Sequence, residues 1–139
     1  MVRINYLLDT NVVSATIKKN EAVQNQLYKA SVYKRRVFIS GITYYEIKRG
    51  LIASNATTKL SQFNKLCEEY PVLFWNDIAI LEKAAEIHAY LKKRGMKLED
   101  ADIFIAAIAI VRELVLVSHD SDMLRVPGLT VEDWLATAE

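Results

Sequence analysis

The sequence is poor in cysteine, proline and glycine, with one, two and four of them among 139 residues. The single cysteine, Cys67, excludes an internal disulfide and a zinc site built from several cysteines. Its position in the apolar, helical pattern FNKLCEEY predicts a small buried side chain instead. Few prolines and glycines beside 52% hydrophobic residues predict a compact globular protein rather than a disordered chain.

Long hydrophobic runs and an excess of one charge are also missing. The longest apolar stretch, residues 103–111, is too short for a bilayer-spanning helix, which needs roughly 20 residues. The first residues lead directly into a strand-like segment, without the pattern of a signal peptide. We therefore expect a single domain over residues 1–139, located in the cytoplasm and without a membrane partner. The net charge of +1 leaves the nature of other partners open.

Short apolar segments alternate with amphipathic ones along the whole chain. The pattern predicts strands at residues 4–8, 36–40, 71–75 and 114–118, with a possible fifth within 129–135, and helices between them. Strands that are apolar on both faces and separated by helices indicate a parallel sheet covered on both sides. Ligands of such folds bind at the carboxyl ends of the strands.

Acidic residues follow the predicted strands. Asp9 comes directly after the first strand, and Glu46 lies within two helical turns of the second. Asp120 and Asp122 follow the fourth strand, and Asp102 opens the helix before it. Like charges at one sheet edge repel one another and raise each other's pKa, which bound divalent cations would relieve. Mg²⁺ or Mn²⁺ suits such oxygen ligands, and ions of this kind activate water for phosphodiester hydrolysis.

Each acid also has a purely structural interpretation. Asp9 is suited to cap the following helix, and Thr43 with Glu46 matches the capping-box pattern T-x-x-E. Asp102 could cap its own helix, although Asp100 is equally well placed. The two acids after the fourth strand lie in a segment typical of a turn. Convergence from four separate segments favours a shared functional site over four independent caps.

Four motifs resemble those of one enzyme family in the same order and spacing. They are LLDTNVVS (residues 7–14), ISGITYYEIKRG (39–50), DIFIAAIA (102–109) and LVLVSHDSDMLRVPGLTVEDWL (114–135). The sequence resembles the PIN-domain ribonucleases, in particular the VapC toxins of toxin–antitoxin pairs. This resemblance implies a Rossmann-like α/β/α sandwich with a central, mostly parallel sheet of four to five strands. It also implies metal-dependent endonuclease activity on RNA, a homodimer, and an antitoxin of the VapB type through which DNA is bound indirectly.

The resemblance carries individual roles onto matching positions. It implies a metal site and catalytic centre formed by Asp9, Glu46, Asp102 and Asp120, supported by Asn11 and Thr43. Asp102 rather than Asp100 matches the family's third acid. The fourth motif departs from the usual pattern, because relatives often have Asn at the position of Asp120 and Phe at that of Met123. We expect Asp120 to bind metal directly and Asp122 to act behind it or through water.

Basic and aromatic residues beside Glu46 are candidates for substrate binding. Arg49 lies one turn further along the helix, on the same side as Glu46, and Lys48 precedes it. Tyr45 is placed to stack on an unpaired base, whereas a packing role is the alternative. Charged runs elsewhere are typical of solvated surfaces.

Other proteins with strand-end acids fit less well. Haloacid-dehalogenase-type phosphatases need a second Asp where Asn11 stands, and receiver domains need paired acids and an Asp directly after the third strand. A non-catalytic RNA- or protein-binding module of PIN-like fold is the main alternative to a nuclease. The presence of all four acids argues against it.

Overall fold

The computed structural model describes residues 3–136 and contains one five-stranded, entirely parallel sheet. The strands are β1 (Tyr6–Leu8), β2 (Val37–Ser40), β3 (Val72–Leu73), β4 (Val115–Val117) and β5 (Val131–Glu132). Their order across the sheet is β3-β2-β1-β4-β5. Tyr6 is paired with Val37 on one side and with Val115 on the other. β1 is therefore the central strand, and its carboxyl end lies in the middle of the sheet edge.

Six α-helices connect these strands. They are α1 (Thr10–Ile17), α2 (Glu21–Val32), α3 (Gly41–Ala53), α4 (Thr57–Glu69), α5 (Ile78–Lys93) and α6 (Asp100–Val111). A short 3-10 helix (Ser121–Arg125) links β4 to the segment before β5. Gly95, just beyond α5, has a φ of +67°, a left-handed conformation that glycine adopts without strain. Gly95 therefore ends this helix directly after its C-cap, Arg94.

The sheet separates two hydrophobic cores. Leu7, Phe38 and Leu116 face α5 and α6, whereas Leu8, Ile39 and Val117 face the opposite side, where Val12, Val23 and Phe63 pack. Side chains alternate between the two faces of a strand, so short, wholly apolar strands supply both cores. The α/β/α sandwich expected from the sequence is confirmed.

Several details differ from the sequence predictions. The sheet is wholly rather than mostly parallel, and β3 has two residues instead of the five predicted. The capping box of Thr43 with Glu46 was a wrong interpretation, because α3 already begins at Gly41 and Ser40 caps it. Cys67 is only half-buried against the core that contains Phe63. Within residues 3–136, no helix has the length and apolar character needed to cross a bilayer.

Candidate active site

The site is organised around Asp9, which continues the central strand by one residue. The Asp9 amide donates to the carbonyl of Val117 at 2.9 Å, and this hydrogen bond holds the Asp9 backbone beside the end of β4. Its Oδ1 accepts from the Thr10 amide at 2.8 Å, and its Oδ2 accepts from the Ser118 hydroxyl at 2.7 Å. Asp9 as a whole residue is only 3% exposed. Asp9 thus caps α1, as the structural interpretation predicted, and also points its carboxylate to the sheet edge.

Ser118 joins two of the predicted acids. Its hydroxyl donates to Asp9 and accepts from the Asp120 amide at 3.1 Å. Ser118 is itself almost completely buried and is held by a hydrogen bond from its amide to the carbonyl of Glu132. The loop after β4 is therefore positioned on the Asp9 carboxylate by direct contact.

Asn11 fixes the same loop from the other side. Its Oδ1 accepts from the His119 amide at 3.1 Å, which links the first turn of α1 to the residue before Asp120. The Asp120 side chain in turn accepts from the Asp122 amide at 2.9 Å and caps the 3-10 helix. Asn11 and Asp120 therefore both stabilise the loop after β4.

Glu46 ends a row of hydroxyl groups. The Thr10 hydroxyl donates to Glu46 Oε1 at 2.9 Å and lies 3.1 Å from the Thr43 hydroxyl. The Ser40 hydroxyl donates to Thr43 at 3.1 Å. Since Thr10 uses its proton for Glu46, Thr43 must donate to Thr10. Each hydroxyl in this row therefore donates in the direction of the Glu46 carboxylate. Thr10, the first residue of α1 and the neighbour of Asp9, makes the final hydrogen bond and so holds the Glu46 side chain.

Asp102 lies in the first turn of α6 and completes the group of acids. Burial, then the charges of Asp9, Asp120 and Glu46, raise the pKa of Asp102 to about 6. Burial also raises the pKa of Asp9, while the hydrogen bonds from Ser118 and Thr10 oppose that rise. The four acids therefore affect one another electrostatically, and Ser118 links Asp9 to the Asp120 segment by hydrogen bonds.

A cleft of about 860 Å³ opens over the acids between α3 and the start of α6. Glu46, Asp102 and Asp122 line it, together with Tyr45 and Arg49. Asp122 is also paired with Arg125, at 3.1 Å from Nη2 to Oδ1. The structure therefore brings two of the three predicted substrate-binding residues to the acids.

Lys48 lies elsewhere. Its ammonium group bonds to Asn64 of α4 and lies 5.1 Å from the centre of the Tyr44 ring. Lys48 therefore stabilises the contact between α3 and α4, and the structure does not bring it to the acids.

The group of acids suits a hard divalent cation. Among the described residues, no three histidine, cysteine, aspartate or glutamate side chains already form an arrangement that would hold a metal ion. Mg²⁺ usually keeps several waters and binds through one or two carboxylates and substrate phosphates, so a closed protein cage is not required. The repulsion that raises the pKa of Asp102 would be relieved by such an ion.

Sequence reasoning missed the hydroxyl groups that hold the acids. Ser118, Thr10 and Ser40 each stand at the end of a strand or directly after the first acid. A hydroxyl residue at the end of a buried apolar strand is a usable signal, because its own polar group needs a partner there. Which acid each hydroxyl contacts depends on the strand order, which short apolar strands do not reveal.

The family model that describes the PIN domain matches residues 6–129. Ribonuclease VapC1 of Haemophilus influenzae (strain R2866) is 28% identical and aligns over 93% of this chain and 97% of its own. The tRNA(fMet)-specific endonuclease VapC of Shigella flexneri is 28% identical over 94% and 98%. Ribonuclease VapC1 of Methanocaldococcus jannaschii is 33% identical over 68% of this chain and 69% of that protein.

Solved structures show the same similarity. DNA-bound VapBC from Salmonella typhimurium contains a chain that superposes with a TM-score of 0.86 and 29% identity, covering 94% of this chain and 98% of that one. VapBC2 from Rickettsia felis, bound to a promoter DNA fragment, gives a TM-score of 0.87 at 22% identity, over 94% and 99%. At 22% identity, the similarity to the Rickettsia felis chain concerns the fold alone.

Proposed function

Because the chain belongs to the PIN domain family and, within it, resembles the VapC ribonucleases along nearly its whole length, we propose that it is an endoribonuclease toxin. The observation that carries this proposal is the convergence of Asp9, Glu46, Asp102 and Asp120 at one edge of the sheet. Two of these acids, Glu46 and Asp102, line a cleft of about 860 Å³. The reaction is hydrolysis of an RNA phosphodiester bond.

We also propose that this activity depends on Mg²⁺ or Mn²⁺. Asp9, Asp102, Glu46 and Asp120 would hold the metal, with Asp122 in contact through water. When bound, such an ion activates water and stabilises charge on the phosphate oxygens. The chain's own residues orient the ligands: Ser118 and Thr10 fix the Asp9 carboxylate, and the hydroxyl row ending at Thr10 fixes Glu46.

The proposed partner is an antitoxin of the VapB type. The similar chains from Salmonella typhimurium and Rickettsia felis were solved as VapBC bound to DNA. We propose that this protein binds a corresponding antitoxin and reaches DNA only through it. A homodimer is part of the same proposal.

Cleavage of purified tRNA and of total RNA tests the activity. The wild-type protein, freed of antitoxin, is incubated with Mg²⁺ or Mn²⁺ and in parallel with EDTA. Asp9→Asn and Asp102→Asn should each lower the rate by at least a hundredfold, because each removes a charged ligand from the centre. Asp100→Asn is the matched control, since Asp100 lies in the same turn of α6 but is exposed and does not contribute to the raised pKa of Asp102; it should lower cleavage far less than Asp102→Asn does.

The outcomes separate the two functions considered. Metal-dependent cleavage that Asp9→Asn and Asp102→Asn abolish, and Asp100→Asn retains, supports the nuclease. RNA binding by folded wild-type protein without cleavage under any of these conditions would favour the non-catalytic module. Cleavage that persists in EDTA or in both variants would contradict the proposed carboxylate centre.

A further inference from the structure

The cleft over the acids carries an unbalanced charge. Five acids line it, namely Glu46, Glu99, Asp100, Asp102 and Asp122, against one arginine, one lysine and one histidine, namely Arg49, Lys97 and His88. An RNA strand is a polyanion whose affinity for proteins comes largely from contacts to its phosphates. Metal ions would neutralise the innermost acids. The neighbouring phosphates of a bound strand still need cations that are free to meet them.

Arg49 and Lys97 are free for this purpose. Both residues are exposed, and no carboxylate within residues 3–136 lies at ion-pair distance from either of them. Arg49 extends from α3, with its guanidinium carbon 5.1 Å from the centre of the exposed Tyr45 ring. Lys97 extends from the loop between α5 and α6, which forms the other wall of the cleft. The two cations therefore flank the acids.

The loop that carries Lys97 is hydrogen-bonded to the segment after β4, which carries Asp120 and Asp122. Arg125 of the 3-10 helix donates from Nη1 to the Lys97 carbonyl at 3.3 Å. Its Nη2 pairs with Asp122 Oδ1 at 3.1 Å. One guanidinium group thus connects the backbone of Lys97 to the segment that begins at Asp120. This contact fixes where Lys97 stands relative to the acids, in contrast to the lysines at the end of α5.

We propose that Lys97 binds a backbone phosphate of single-stranded RNA next to the cleaved bond, opposite a second phosphate bound by Arg49. This assignment rests on the proposed ribonuclease function. Lys97 is a substrate-binding residue, and Arg125 positions it. Tyr45, beside Arg49, offers an exposed ring on which an unpaired base can stack.

The salt dependence of RNA binding tests the assignment. The probe is a 20-nucleotide single-stranded RNA of mixed sequence with a 5′ fluorescein, and anisotropy is measured with Mg²⁺ in the Asp9→Asn background to prevent cleavage. For single strands, the slope of log K against log salt concentration is about −0.7 per phosphate contacted. Lys97→Ala should make the slope shallower by about 0.7, and Lys97→Ala with Arg49→Ala by about 1.4.

Lys93→Ala is the matched control, because Lys93 is an exposed lysine of the same basic run that does not line the cleft. It should leave the slope unchanged, and the thermal midpoints of all variants should match that of the parent. A Lys97→Ala slope equal to that of the parent, in a protein whose wild type cleaves RNA, overturns the Lys97 assignment alone. Absence of RNA binding in the parent, together with absence of cleavage by the wild type, overturns this assignment and the proposed function together.

Discussion

Removing the Asp102 carboxylate should stabilise the metal-free protein at neutral pH. Burial, followed by the charges of Asp9, Asp120, Glu46 and Glu99, raises the pKa of Asp102 to about 6. An aspartate in an unfolded chain titrates near pH ~3.9. The folded protein therefore binds this proton more tightly than the unfolded chain does. At pH 7.5 neither state carries the proton, and the folded state bears the full repulsion.

The size of the effect follows from the raised pKa. One pKa unit corresponds to about 1.4 kcal/mol, so the rise sets an upper limit of about 3 kcal/mol. Asp102 is half-exposed, and water screens its interaction with the neighbouring acids. We therefore expect Asp102→Asn to raise the free energy of unfolding by about 1 kcal/mol, or the melting temperature by about 3 °C.

Thermal unfolding in EDTA from pH 8 to pH 4 measures this effect. Between pH ~4 and ~6 the folded state binds more protons than the unfolded state, so wild-type stability should rise as the pH falls through this window. The advantage of Asp102→Asn should be complete above pH ~7 and disappear near pH ~4.

Asp100→Asn removes a carboxylate from the same helical turn and serves as the matched control. Any loss of a favourable interaction with the α6 dipole is shared by both variants, so their difference reports the effect of the clustered charges. Equal melting temperatures for Asp100→Asn and Asp102→Asn at pH 7.5 would refute the reasoning. The same conclusion would follow if the advantage of Asp102→Asn did not change with pH.

Three further substitutions test the framework around the site. Ser118→Ala leaves the buried Asp9 carboxylate without its 2.7 Å hydrogen bond. The variant should therefore cleave RNA more slowly, and its free energy of unfolding at pH 7.5, measured in urea, should be lower by about 2 kcal/mol. Gly41→Ala should lower the free energy of unfolding by about 1 kcal/mol, because the new Cβ would lie 2.7 Å from Trp75 Cζ3. At Gly50 an added Cβ would meet no atom within 4 Å, so Gly50→Ala should raise the free energy of unfolding by about 0.5–1 kcal/mol. Loss of stability in both glycine variants to the same extent would contradict this account.

The architecture was predictable because its signal is local. Each strand is a short apolar run, and each helix has its own amphipathic pattern, so element order and the parallel sheet follow from the sequence. The strand order does not, because Leu7, Phe38 and Leu116 are equally suited to any buried position. The lengths of β3 and β5 depend on pairing with a single neighbour at the sheet edge and were predicted less well.

The location of the acids was predictable for a similar reason, since Asp9 and Asp120 follow the carboxyl ends of strands in a parallel sheet. Their hydrogen-bond partners were not. Ser118 contacts Asp9 across 109 positions of sequence, and Thr10 contacts Glu46 across 36. Lys48 and Arg49 are neighbours on α3, yet only Arg49 lines the cleft, because the packing of α4 engages Lys48.

An acid can have both a structural and a functional role, and the balance between the two differs between Asp9 and Asp102. Asp9 caps α1, so folding alone could account for it. Asp102 differs: burial and four neighbouring acids all raise its pKa, and no hydrogen bond within residues 3–136 lowers it. In the metal-free protein its charge therefore opposes folding, apart from a modest interaction with the α6 dipole. A carboxylate with that energetic cost and no structural partner fits the proposed role of a cation ligand, and Asp102 is therefore the residue on which the proposal of a metal site depends most.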